Sequence, residues 1–122
     1  MIDEAPRGAT GSQRFRRADR IRSSRDYARI RRVGRRYGAE SVSLEVVPRE
    51  LGPRLGLVVG KRIGNAVERT RVKRAVREWF RLRRSAFAHS ADIVVVARPG
   101  AASRTTTELW HELDATIARA QR

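Results

Sequence analysis

A strand, a capped amphipathic helix and another strand follow one another between Arg54 and Ala97, and that order leaves few architectures open. Arg54 to Gly60 has a nearly continuous apolar centre, which predicts a strand covered on both faces and central in its sheet. Asn65 and Glu68 have the spacing of a capping box and open a helix. Val72, Val76 and Trp79 then recur at i, i+4 and i+7, widened by Ala75 and Phe80, so this helix has one apolar stripe. Residues 81–90 are expected to continue or restart it. Ile93 to Ala97 is a further apolar strand, bounded by Asp92 and by Pro99-Gly100. Strands on both sides of one helix imply a βαβ unit with parallel neighbours.

The flanking segments complete an order of helix, two or three strands, helix, strand, helix. A first helix is predicted over Ser24 to Val33, capped by Ser23 or Ser24, with Asp26 in its first turn and Gly34 as a left-handed stop. Tyr27, Ile30 and Val33 share one of its faces; Arg25, Arg29 and Arg32 lie opposite. Glu40 to Val47 alternates, with Val42, Leu44 and Val46 on one side and Ser41, Ser43 and Glu45 on the other, as in a half-buried strand. Pro48 to Pro53 reads as a turn, and a short extra strand fits near Arg36 to Gly38. Thr105 and Glu108 form a second capping box, opening a last helix with Leu109, Leu113, Ile117 and Ala120 on one side. Residues 1–13 have no apolar period and read as a flexible tail; residues 14–122 read as one domain.

Charge restricts the partner. The 122 residues include 28 Lys and Arg against 13 Asp and Glu, a net +15, and only Lys61 and Lys73 are lysines. A chain so charged repels itself and favours a polyanion, most often nucleic acid. Guanidinium forks grip phosphate in two places and stack on bases, which suits folded RNA. The cations concentrate in one place. Lys61, Arg62, Arg69, Arg71, Lys73, Arg74 and Arg77 share the segment 61–77 with one acid, Glu68. Arg69, Lys73 and Arg77 fall at i, i+4 and i+8 and form a ridge, with the apolar stripe behind it. Repulsion along such a ridge costs a few tenths of a kcal/mol per pair, and bound phosphate offsets it.

Several classes are excluded. There is no cysteine, so disulfides, thiolate metal sites and thiol nucleophiles are absent, in keeping with a reducing cytoplasm. The strongly apolar run at Ile93 to Ala97 is too short to span a bilayer, and no signal core precedes it. His89 and His111 lack metal-ligand spacing and read as surface or cap residues. Asp92 reads as a turn residue at the start of a strand. The carboxylates form no paired set for metal-assisted hydrolysis, and Ser23-Ser24 have no base nearby in sequence. Trp79 and Trp110 each adjoin an apolar stripe and are assigned to the core.

Residues 56–74, Gly56-Leu57-Val58-Val59-Gly60-Lys61-Arg62-Ile63-Gly64-Asn65-Ala66-Val67-Glu68-Arg69-Thr70-Arg71-Val72-Lys73-Arg74, resemble the signature of the bacterial ribonuclease P protein family, and Arg77-Glu78 match its ending. Arg22 to Tyr27 and Asp92 to Gly100 add to the likeness, which covers roughly residues 20–118. The resemblance implies an α/β (α+β) two-layer sandwich of αβββαβα order, like domain 2 of ribosomal protein S5. It implies a left-handed βαβ crossover where handedness rules alone predict a right-handed one. It also implies a non-catalytic subunit that partners a catalytic RNA in removing the 5′ leader from precursor tRNA. The RNA would hold the Mg²⁺ and perform the hydrolysis.

By the same resemblance, Arg69, Thr70, Arg71, Lys73, Arg74 and Arg77 bind the catalytic RNA, and Tyr27, Arg31, Lys61 and Arg62 serve the leader. Tyr27 reads equally well as a core-facing helix residue. Three positions depart from the family pattern: Thr70 replaces an Asn, Arg31 a second aromatic of the first helix, and Glu45 an aromatic of the second strand. The leader groove is therefore expected to rely more on arginine than on stacking, with Glu45 away from the leader. A cytoplasmic protein with no membrane contact and no required homo-oligomer follows. The competing readings are a ribosomal or other structural RNA-binding protein, and a DNA- or membrane-surface protein built on an exposed amphipathic helix.

Overall fold

The structure is a computed structural model and describes residues 17–84 and 91–121. The expectations for the tail at 1–13, for residues 85–90 and for His89 lie outside the described residues. Three helices, α1 (Ser24–Val33), α2 (Ala66–Arg83) and α3 (Thr106–Ala120), pack on four strands, β1 (Arg35–Gly38), β2 (Val42–Pro48), β3 (Arg54–Val58) and β4 (Ala91–Ala97). Their order is the αβββαβα expected from the sequence. Ser23 caps α1, its hydroxyl accepting from the backbone N–H of Arg25 and Asp26. Both capping boxes form, Asn65 with Glu68 and Thr105 with Glu108.

The sheet order is β1-β2-β4-β3. β4 pairs antiparallel with β2 and parallel with β3, the two strands that α2 separates in sequence. β3 is therefore an edge strand, not the central one its apolar run suggested. The covering comes from elsewhere: residues 17–21 run along that edge, where the Ile21 N–H donates to the Leu55 carbonyl. β2 and β4 are central.

Strand alternation sorts the side chains onto two faces. On one face, Val42, Leu44, Leu55, Ile93 and Val95 meet Val72, Val76, Trp79 and Phe80 of α2 and Leu109 and Leu113 of α3. Trp79 and Phe80 are wholly buried, and truncating either to Ala would cost roughly 3–5 kcal/mol. The other face is smaller: Val94, with Val47, Val58 and Val96, meets Ile21, Ile30 and Tyr27. Because α1 crosses this second face, β2 is buried on both sides and Glu45 is not at the surface; Ser41, just before β2, is buried too, bonded to Glu112 of α3 and to Arg104. Val33, expected to share the buried face of α1, is exposed at its end. Gly34 stops the helix in an extended conformation (φ −76°, ψ 156°), not a left-handed one. It is needed for closeness instead, since a Cβ there would lie 2.5 Å from the Ile30 carbonyl oxygen.

Asp92, 1% exposed, corrects the sequence reading most sharply. It accepts from Arg54 Nε at 2.8 Å and Arg54 Nη2 at 2.9 Å, and from Arg29 Nη2 at 3.0 Å, with Arg49 Nε 3.6 Å away. One carboxylate thus joins β4 to β3, to α1 and to the β2–β3 turn. Arg54, whose pKa is raised mainly by its hydrogen bond with Asp92, also reaches Asp26 of α1 at 3.5 Å. Removing a buried carboxylate strands its cations. Asp92→Ala is expected to lower unfolding stability by about 2–4 kcal/mol in urea titration. An unchanged midpoint would show that α1 is held by its apolar contacts alone.

Candidate RNA interface

The apolar stripe of α2 turns its cations outward. Val72, Ala75, Val76, Trp79 and Phe80 are buried against the sheet, and Arg69, Lys73 and Arg77 line one flank of that stripe. Thr70 and Arg74 face further out, and Arg71 lies on the opposite flank beside α3. Lys61 and Arg62 are exposed on a single 3-10 turn between β3 and α2.

The acids have been drawn elsewhere. Glu45 is paired with Arg36 at 2.9 Å and Arg31 at 4.0 Å, Asp19 with Arg84, and Asp114 with Arg83 at 2.7 Å. Arg104 holds Glu40 at 3.0 Å and Glu112 at 3.7 Å. On α2 itself, Glu68 closes the capping box and Glu78 pairs with Arg81. Among the described residues, no carboxylate lies within 4 Å of a charged nitrogen of Lys61, Arg62, Arg69, Lys73, Arg74 or Arg77. Burial lowers the pKa of Arg77; the charge of Arg20 adds to this, Tyr27 opposes it, and Arg74 lowers it a little further. A cation in that setting gains from an arriving anion. Arg20 is a residue that sequence reasoning passed over, because only the β3 edge brings residue 20 towards residue 77.

Arg71 has a structural duty. Its guanidinium donates to the carbonyls of Ala102 and Arg104, at 3.0 Å for the latter, and so ties α2 to the turn before α3. Thr70, Arg71, Arg74 and Arg77 line a common groove between α2 and α3. Tyr27 and Arg31 stand apart from it, on the α1 face of the sheet. The Tyr27 ring lies across Gly56, where a Cβ would come within 2.8 Å of the phenol oxygen, and the Leu57 N–H donates to that oxygen at 3.0 Å. The ring is half-buried, so it packs on the sheet and still shows part of itself. Arg31 is largely exposed above Glu45.

No group of His, Cys, Asp and Glu among the described residues could hold a metal ion, and none of their helices is long and apolar enough to cross a membrane. His111 is exposed on α3. The apolar side of α2 is buried against the sheet, which removes the free amphipathic face that a membrane-surface helix needs.

These placements separate stability from binding. Arg71→Ala is expected to lower thermal stability, by about 1–3 kcal/mol, because two half-buried carbonyls lose their donor. Arg74→Ala, at an exposed position, should change it by less than about 0.5 kcal/mol. Equal melting temperatures for the two variants would contradict the structural role of Arg71.

A family model for ribonuclease P matches residues 15–121. The ribonuclease P protein component of Syntrophobacter fumaroxidans is 47% identical over 105 residues, covering 84% of this chain and 88% of the relative. That of Syntrophus aciditrophicus is 37% identical over 106 residues, covering 86% and 89%. Among solved structures, the Staphylococcus aureus RNase P protein superposes with a TM-score of 0.79 at 32% identity, covering 86% of this chain and 97% of that one. The Thermotoga maritima RNase P protein, in complex with 1-(4-fluorophenyl)-2-thiourea, gives 0.76 at 28%, covering 81% and 97%. Sequence, element order and fold agree, and the chain belongs to the ribonuclease P protein family.

Proposed function

We propose that this chain is the protein subunit of ribonuclease P, binding a catalytic RNA through α2 and the 5′ leader of precursor tRNA beside Tyr27. The observation that carries this reading is the segregation of charge. Most described acids are spent on other arginines or on helix caps, and Arg69, Lys73, Arg74 and Arg77 of α2 are left without one. Arg69, Lys73, Arg74 and Arg77 would meet phosphates of the catalytic RNA, with Thr70 and the locked Arg71 shaping the surface. Lys61 and Arg62 would neutralise the leader backbone. Tyr27 would offer its exposed edge to a leader base, and Arg31 would add charge beside it. Glu45, shielded by Arg31 and Arg36, presents no bare anion to the leader.

In this reading the chain contributes no group to bond cleavage. Its residues do not fit a resident Mg²⁺, since the described acids form no ligand cluster, most of them being paired with arginines or closing helix caps. The ion belongs to the RNA, where it supports endonucleolytic removal of the leader. The protein's part is to screen phosphate repulsion and hold the substrate's leader in place, so less Mg²⁺ is needed. A cytoplasmic location, where precursor tRNA is found, goes with this function, and no second protein copy is required.

Reconstitution tests the reading. The chain alone should cut nothing; with a bacterial ribonuclease P RNA it should accelerate precursor-tRNA cleavage at low Mg²⁺. No acceleration would refute the assignment, and RNA recovered from cells with the chain would then show whether it serves a ribosomal or other structural RNA. Lys73→Ala and Arg74→Ala should each weaken the complex with the catalytic RNA and flatten its salt dependence by about one unit of slope. Tyr27→Ala should weaken leader-bearing substrate by a factor corresponding to about 1–3 kcal/mol, with leader-free tRNA unaffected and Tyr27→Phe close to unaltered. Equal losses on both substrates would remove Tyr27 from the leader site.

A further inference from the structure

The groove between α2 and α3 differs from the rest of the basic surface. It has a volume of about 880 Å³. Its floor and walls are largely apolar: Val67, exposed to 77%, with Ala66, Ala75 and the half-buried ring of Trp110. Its rim carries Arg74 and Arg77, and Glu78 at one side is already paired with Arg81. An ordinary phosphate-binding ridge has no use for an apolar hollow. A nucleobase needs both parts, an apolar bed for the ring and cations for the phosphates on either side.

The groove is also preformed. Trp110 Nε1 donates to the Ala75 carbonyl at 2.8 Å, and Arg71 binds the carbonyls of Ala102 and Arg104. These bonds fix the spacing of α2 and α3, so a base could enter without the helices being reordered. Arg83 covers one side of the Trp110 ring, 4.9 Å from its centroid. The base would therefore rest against the apolar wall beside the ring, not sandwich it.

We infer that the α2–α3 groove receives one unpaired base of the catalytic RNA, held against Val67, Ala75 and Trp110 while Arg74 and Arg77 take the adjoining phosphates. This rests on the proposed docking of α2 on that RNA. It adds that the protein recognises an unstacked nucleotide there and not only a helical backbone. A duplex buries its bases and could reach the rim but not the floor.

Two variants alter the groove without changing charge: Val67→Gln and Thr106→Gln, both at exposed positions. Their complexes with a transcript of a bacterial ribonuclease P RNA should weaken about fivefold or more, with unaltered salt slope and melting temperature. Precursor-tRNA leader affinity, measured separately, should not change. In a second measurement, a single-stranded oligoadenylate should quench Trp110 emission, whereas an RNA duplex with the same number of phosphates should not. Trp79 is wholly buried and serves as the internal standard, and Trp110→Phe should abolish the quenching. Unchanged affinity in both Gln variants, with Arg74→Ala still weakening the complex, would leave the ridge reading intact and overturn the groove. Unchanged affinity in all three would overturn both. Equal quenching by duplex, or a loss confined to the leader, would also overturn the inference.

Discussion

The buried carboxylate of Asp92 sets the frame in which the other charges are arranged. A carboxylate at 1% exposure is costly to bury without partners, and three arginines from three parts of the chain converge near it. The result orients α1 over the sheet, which in turn lays Tyr27 across Gly56 and places Arg31 above Glu45. The same logic applies at Glu45, the second buried acid of that face. A protein with few acids uses them inside, as anchors for arginines that would otherwise repel one another.

That economy determines what is left at the surface. Twenty-eight basic residues share 13 acids, and those acids are mostly committed to the α1 face, to α3 and to helix caps. On the outward side of α2, Arg69, Lys73, Arg74 and Arg77 go without a carboxylate partner among the described residues. The helix is strong all the same, because its apolar stripe is buried and its N-terminus is capped on both sides of the capping box. Burial of one face stabilises the helix that repulsion along the other would weaken. The attraction for a polyanion is thus built on a scaffold that does not depend on it.

The helix that carries the family resemblance was legible from spacing alone. Val72, Val76 and Trp79 fall on one stripe in any α-helix, and Asn65 and Glu68 form a capping box whatever surrounds them. The ridge at Arg69, Lys73 and Arg77 was legible for the same reason. Arg71, by contrast, is indistinguishable from its neighbours in sequence, and its binding of the Ala102 and Arg104 carbonyls appears only once α3 is in place. Trp110 packs against the core as assigned, but it turns towards α2 and so also lines the groove.

Sequence by itself determined the periodic elements, the caps, the net charge and the family, because each depends on residues a few positions apart. Tertiary structure decided which strand lies at the edge, which face of β2 α1 covers, and which arginines are neutralised. Those outcomes depend on pairs such as Arg29 with Asp92 and Arg54 with Asp92, 63 and 38 residues apart. No local pattern encodes such pairs. They are selected only when the buried sheet brings an ionised carboxylate out of water and demands a partner.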